Sequence, residues 1–473
     1  MTILRRPTDS AAAGDPIPFS RDGATHLFYL SSPLGTLDYP ERVQTTWQHA
    51  WTSDFRGWKS LVPALEPREA DAYDAGGIWT GSVIESDRTY YLFYTGHHVG
   101  AANPQVICLA TSTDLVHFER HGQNPLITPI AGYEAVDWRD PYVFYNEAER
   151  RWWMLIAARL DHGPKWRRGC IVLATSENLI DWDVEPDPLY VPGTTYCPEC
   201  PEMWTAGGRW YLVFSRFSED VGTIYRVADS PRGPFRVPVD DALGGRRWYA
   251  AKSAPQADGS RVFFGWVHDF VTEGRPRWLW GGDFAAPRVV TPDAHGELSV
   301  RLHPGIEAMF DDGTVTATKL EAIGGEAHAT AIHILPETCL IRAEFAVADN
   351  PAAFGLALAE NDDLEGWFLT FDRNRSSATL AREPRPLDDF WADLTGRSAA
   401  DRNVDGPIVA EAPYSPESGS NVLSVLLDDE ILEIYVDTRR ALTHRIARTT
   451  PLRAVAFVVD GCAEVNVRVS KPC

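Results

Sequence analysis

Five short stretches dense in aromatic and β-branched residues recur through the first three hundred positions: "HLFYL" (26–30), "TYYLFYTG" (89–96), "RWWMLIAA" (151–158), "RWYLVFS" (209–215) and "RVFFGWV" (261–267). Each follows a polar turn signal such as "RDGAT", "SDR", "NEAER" or "AGG". Residues of this kind suit a pleated, half-buried surface, and the turns fix the strand ends. A second element recurs between them: "TSDFRGW" (52–58), "TSTDLVHF" (111–118), "TSENLIDW" (175–182) and "DSPRGPF" (229–235) each place a Ser, a polar turn and then an aromatic. From Ser53 to Ser112, Ser176 and Ser230 the steps are 59, 64 and 54 residues. A unit of that length predicts a four-stranded antiparallel blade, and five units closed into a ring leave no long open edge. A β-sandwich with chance repeats would not pair the two signatures so regularly. The prediction is an all-β fold whose first part is a five-bladed β-propeller.

After residue 305 the pattern changes. "RLHPGIEAMF" ends the repeats, and alternating strands follow at 339–348, 354–360, 366–372, 421–437 and 454–461. They predict a C-terminal β-sandwich. A chain of 473 residues exceeds one ordinary core. The expected division is a propeller over 1–305, a linker over 306–325 and a sandwich over 326–473. Residues 376–420, rich in Pro, Asp, Ser and Arg, read as a long surface loop.

The formal net charge of −22 argues against nucleic acid and anionic membrane as partners, since both require basic patches. The N-terminal "MTILRRPTDSAAAGDP" lacks the apolar run of a secretory signal, and no stretch is long enough to span a bilayer. The seven cysteines are odd in number and scattered, which is no disulfide framework. These features lead to an expectation of a cytoplasmic protein. Cys197 and Cys200 form a C-x-x-C, but no second Cys/His pair matches it for zinc, and Pro198 and Pro201 disfavour the helix that a redox pair would open. No metal and no cofactor is expected.

On a propeller, side chains far apart in sequence meet at the axis if each holds a comparable place in its own blade. Asp15 in "GDPIPF", Asp140 in "DWRDPYVF" and Glu199 in "CPECPE" each lie one short connection ahead of an aromatic strand, in blades one, three and four. Like-charge repulsion among three carboxylates holds at least one pKa high. Arg139 is a ready counter-charge, and Trp138 and Trp204 are candidates for an apolar wall that keeps Glu199 protonated. One carboxylate to attack or activate water and one acid to protonate a leaving oxygen is the equipment of glycoside cleavage. Glu202 is the rival acid. Its odd offset from Glu199 predicts the opposite face of a strand.

The motifs "DP" at Asp15–Pro16, "WRDPYVF", "ECP" at Glu199–Cys200–Pro201 and "WQHAWTSDFRGW" resemble those of glycoside hydrolase family 32, the invertase, inulinase and levanase family. "IWTGSV", "WYAAKSAP", "FFGWVHDF", "WLWGGDFAAPRVV" and "LEIYVDTRRALTHRI" extend the likeness nearly end to end. The resemblance implies a carbohydrate substrate, usually a β-linked fructofuranose, cleaved with retention. It implies Asp15 as nucleophile, Glu199 as general acid/base and Asp140 as a holder of sugar hydroxyls. His49, Trp79, Arg139 and Tyr249 are candidate sugar contacts. The flanks of the first motif, Gly14 and Ile17–Pro18–Phe19, replace the Trp-Asn and Asn-Gly usual in the family. Rival readings are a family 43-like arabinofuranosidase, a fructosyltransferase and a sugar-binding propeller without turnover.

Overall fold

The computed structural model describes residues 5–69, 72–273, 276–384, 408–414, 421–446 and 451–473. Its first part is a ring of five antiparallel blades, as predicted. The innermost strands are Ala13–Arg21, Ile78–Ser86, Tyr133–Asn146, Glu199–Ala206 and Trp248–Pro255. The aromatic signatures all fall on the second strand of each blade: Ala24–Ser31, Thr89–His97, Arg151–Leu160, Arg209–Arg216 and Arg261–Val271. These strands have neighbours on both edges and pack on both faces, so nearly every side chain is buried. Their cores, such as Leu92, Tyr94 and Cys108 in one cluster and Met154, Ile156 and Val172 in the next, lie between adjacent blades.

The second repeated element is a turn that ends the third strand. Thr52, Ser112 and Ser176 accept through their hydroxyls from the N–H three residues on, at 2.9, 3.0 and 2.9 Å. Asp54, Asp114 and Asn178 then cap the next N–H groups. The residues between, Phe55, Leu115 and Leu179, take positive φ and bury their side chains. Blade IV departs from the plan. Its fourth strand shrinks to one bridge, Val227 to Arg236, in a segment where Pro231, Pro234 and Pro238 offer no N–H for a ladder. Blades V and I are joined by an extra strand, Arg277–Phe284, which extends the Arg261–Val271 hairpin and touches Ala13 through Gly282.

The sandwich is one ten-stranded sheet folded on itself. Arg453–Ser470 pairs along one edge with Thr314–Ile334. Its other edge takes Ala353–Ala359 in the first half and Thr338–Ala348 in the second. The chain bends between them at Asp460 and Gly461, both with positive φ. The two layers share a core that includes Ile341, Phe345, Phe354, Leu369, Val425 and Ile434.

Two expectations are corrected. Residues 314–325, read as part of a linker at 306–325, belong to the long strand Thr314–Ile334, where Leu320 and Ala322 enter the sandwich core. The loop read at 376–420 contains two paired strands, Ser377–Glu383 and Ile408–Pro413. The rest of that loop, 385–407 and 415–420, lies outside the described residues. The two parts are welded together. Trp248, Phe263 and Val300 share a core with Leu426, Ile431 and Tyr435. Beside it Arg288, fully buried, meets Glu433 at 3.1 Å.

Candidate active site

Every innermost strand carries a bulge at the same level. It falls between Gly14 and Ile17, Trp79 and Gly81, Glu199 and Glu202, and Tyr249 and Lys252; in blade III, Asp140–Pro141 interrupt the ladder between Arg139 and Tyr142. A bulge re-aims the side chains around it and commonly sits next to a functional site. At the bulge, Asp15, Asp140, Cys200 and Ala250 all take positive φ, at 38°, 61°, 52° and 50°. Non-glycine residues adopt this conformation only where the surrounding fold forces it.

The carboxylates meet, although not in one register as the sequence suggested. Asp15 and Asp140 are bulge residues. Glu199 stands one place earlier, in the series Gly14, Trp79, Arg139, Glu199, Tyr249, and Cys200 holds the bulge position of blade IV. Asp15, Asp140 and Cys200 from the bulge positions and Trp79, Arg139, Glu199 and Tyr249 from the places before them line one cavity of about 120 Å³. Asp15, Asp140, Glu199 and Arg139 are its polar part; Trp79, Tyr249, Trp280, Tyr39 and Val43 are its aromatic and apolar part.

Each acid is held differently. Trp266 Nε1 donates to Asp15 Oδ1 at 2.9 Å. Asp140 is 3% exposed. Its N–H donates to Thr95 Oγ1 at 2.8 Å, and its Oδ2 accepts from the Cys200 N–H at 2.8 Å. Glu199 Oε1 accepts from Arg139 Nη2 at 3.0 Å, and its Oε2 accepts from the Tyr249 hydroxyl. Arg139 is anchored in turn by Asp137 at 2.6 Å. Burial, then the Asp140 and Glu199 carboxylates, push Asp15 up to about 8; the Trp266 N–H and Lys252 oppose the rise. Burial is also the main cause that holds Glu199 above the usual carboxylate range, with Arg139 opposing and Asp140 adding to it. The pit therefore retains a proton near neutral pH.

Of the four candidate sugar contacts, Trp79, Arg139 and Tyr249 line the cavity, and His49 does not. His49 sits on Thr46–Thr52, the third strand of blade I, away from the axis. It stacks on Phe28 at 4.0 Å and shares a hydrogen bond with His26 at 2.9 Å. Burial and His26 depress its pKa to about 3. Trp138 and Trp204 do not form the wall either. Trp138 points into the core beside Tyr133, and Trp204 stacks on Tyr211 deeper in blade IV. The aromatic walls are Trp79, Tyr249 and Trp280 instead. Trp280 and Tyr39 were missed because they come from a strand and a loop outside the innermost strands. Trp280 did stand in the quoted "WLWGGDF".

Glu202 is also corrected. The bulge restores parity: Glu199 and Glu202 face Ser215 and Val213, which lie two apart on one face of their strand. Glu202 thus shares the face of Glu199 but lies one rung deeper, outside the cavity. It is fully buried, accepts from the Ser253 N–H at 2.7 Å and from the Ser253 hydroxyl, and pairs with Arg261 at 3.3 Å. Glu202→Ala is expected to destabilise the fold by about 3–5 kcal/mol, read as a lower urea midpoint, because it strands Arg261.

The family described as Glycosyl hydrolases family 32 N-terminal domain matches residues 14–301, and Glycosyl hydrolases family 32 C terminal matches 312–470. A sucrose-6-phosphate hydrolase of Zymomonas mobilis is 28% identical over 482 residues, covering 93% of this chain and 86% of that protein. A sucrose-6-phosphate hydrolase of Escherichia coli is 31% identical over 297 residues, 58% of each chain, so the match spans under two thirds of that relative. Among solved structures, exo-inulinase from Aspergillus awamori superposes with a TM-score of 0.77 at 18% identity, covering 100% of this chain and 98% of its own. With both halves of the chain matched in order, this protein belongs to glycosyl hydrolase family 32.

Proposed function

We propose that this protein hydrolyses β-fructofuranosides with retention of configuration. The observation that carries the reading is the convergence of Asp15, Asp140 and Glu199, from three different blades, on one small aromatic-walled pit. Asp15 attacks the anomeric carbon while the Glu199 carboxyl gives its proton to the departing oxygen. A fructosyl ester on Asp15 results. Glu199, now ionised, takes a proton from water, whose oxygen attacks the same carbon and frees the Asp15 carboxylate. Asp140 is the hydroxyl-holding group: its backbone and one carboxylate oxygen are fixed by Thr95 and Cys200, which leaves its other oxygen to face the pit. Arg139, the one cation among the described lining residues, is already bound to Asp137 and Glu199. That supports an uncharged sugar at the bottom of the pit.

The test is a panel of sucrose, inulin, levan and nitrophenyl arabinofuranoside. Release of free fructose from one or more of the first three is expected. Turnover of the arabinoside alone, or transfer products in place of free fructose, would favour the rival readings. No turnover on any of them would leave a binding propeller.

The first motif also sets a specificity test. A Cβ on Gly14 would lie 2.8 Å from Trp280 Cη2. Gly14 thus makes room for the indole that walls the pit. Gly14→Ala is expected to lower kcat/KM about tenfold or more by displacing that wall, with little change in Tm. We also propose a cytoplasmic location; the seven cysteines, none of them in a disulfide, support a reducing compartment.

A further inference from the structure

Beneath the pit lies a buried cation that the mechanism above does not use. Lys252 is 2% exposed. It stands on the innermost strand of blade V, just past the bulge. Tyr249 and Lys252 face Trp266 and Phe264, two apart on the second strand, so Lys252 shares the face of Tyr249 one rung deeper. Tyr142 and Glu202 hold the same place in blades III and IV, opposite Leu155 and Val213. From blade V the lysine crosses the axis. Its Nζ donates to the Gly81 carbonyl of blade II at 2.7 Å and lies 5.7 Å from the Tyr142 ring centre of blade III. The ammonium therefore sits under the floor on which the carboxylates stand.

Among the described residues it has no carboxylate within ion-pair distance and one hydrogen bond for its three donors. A buried cation so poorly satisfied is costly unless a field of opposite sign surrounds it. The other charges nearby are committed. Glu202 in the same tier is met by Arg261, and Arg139 above is met by Asp137 and Glu199. Asp15 has the Trp266 N–H but no cation of its own in the pit. The groups that act on Asp15 are the Asp140 and Glu199 carboxylates, the Trp266 N–H and Lys252, and Lys252 is the cation among them.

We propose that Lys252 is a positioning residue for catalysis: from across the propeller axis its ammonium favours the ionised, attacking form of Asp15 against burial and the neighbouring carboxylates. The proposal rests on the reading of Asp15 as nucleophile. At an effective dielectric of about 20, a unit charge even ~10 Å from a carboxyl shifts it by about one unit, a tenfold change in the ionised fraction on the acidic side.

The experiment is the kcat/KM–pH profile on sucrose, or on whichever fructoside the panel finds best, for the wild type, Lys252→Gln and Lys252→Met. Circular dichroism confirms that each variant is folded, and the two differ in polarity so that one keeps the test open if the other misfolds. The acidic limb is expected to move up by about one unit, with about tenfold less activity on that limb and recovery as pH rises. A loss of equal factor at every pH, with the limb in place, would make Lys252 a packing residue and overturn the proposal. If Asp15→Asn proves inactive while the lysine variants keep the wild-type limb, this inference alone fails. If Asp15→Asn stays active, the reading beneath it fails.

Discussion

Asp15→Asn is expected to lower kcat by about 10⁴-fold or more while leaving a folded protein. The amide keeps the shape of the side chain but cannot form the ester through which both steps pass, and losing a nucleophile has effects of this size. The same substitution should stabilise the protein, with a sign fixed by linkage. Asp15 is held at about 8 against an ordinary 3.8. The native state therefore binds the proton more tightly than the unfolded chain does. Relative to strongly acid pH, the wild type loses stability as pH rises through this window, and an asparagine does not. The Tm difference between Asp15→Asn and wild type should be small near pH 4 and grow by a few degrees toward pH 8. A constant difference would show that burial does not hold this carboxyl up.

Glu199→Gln is expected to lower kcat on sucrose or fructan by about 10²–10⁴-fold, the usual worth of a general acid. The loss should be much smaller on an aryl fructoside, whose leaving group departs without a proton. The basic limb of the kcat/KM–pH profile should also vanish, since it reports the proton that Glu199 carries. Tyr249 and Arg139, which grip its two oxygens, should still hold the glutamine in place. A uniform loss on both substrates, with the basic limb retained, would assign the acid elsewhere.

The propeller was legible because second strands of blades pack on both faces and so demand aromatic and β-branched residues at a steady interval. The capping turns were legible because Ser, Asp and Asn are needed to satisfy turn N–H groups. The site was readable only in part. Asp-Pro and Glu-Cys-Pro marked the innermost strands, but nothing in the sequence shows that Cys200, and not Glu199, takes the left-handed position. That one-residue offset, and the bulge behind it, also defeated the alternation argument about Glu202. His49 was misread because blade membership alone does not bring a side chain to the axis; the third strand that carries it runs away from the pit. Trp280 could not be placed from local pattern, since it reaches the pit on a strand that joins blade V to blade I. The strands Ser377–Glu383 and Ile408–Pro413 were hidden by the polar, Pro-rich sequence around them.

The most direct measurement is to trap the intermediate. Glu199→Gln, given β-fructofuranosyl fluoride, needs no acid for the first step and has lost its base for the second, so the ester should accumulate. Rapid quenching, proteolysis and mass spectrometry should find one added fructosyl unit on the peptide that contains Asp15. A fructosyl unit on any other side chain, or no adduct together with a first-formed product of inverted configuration, would contradict the account.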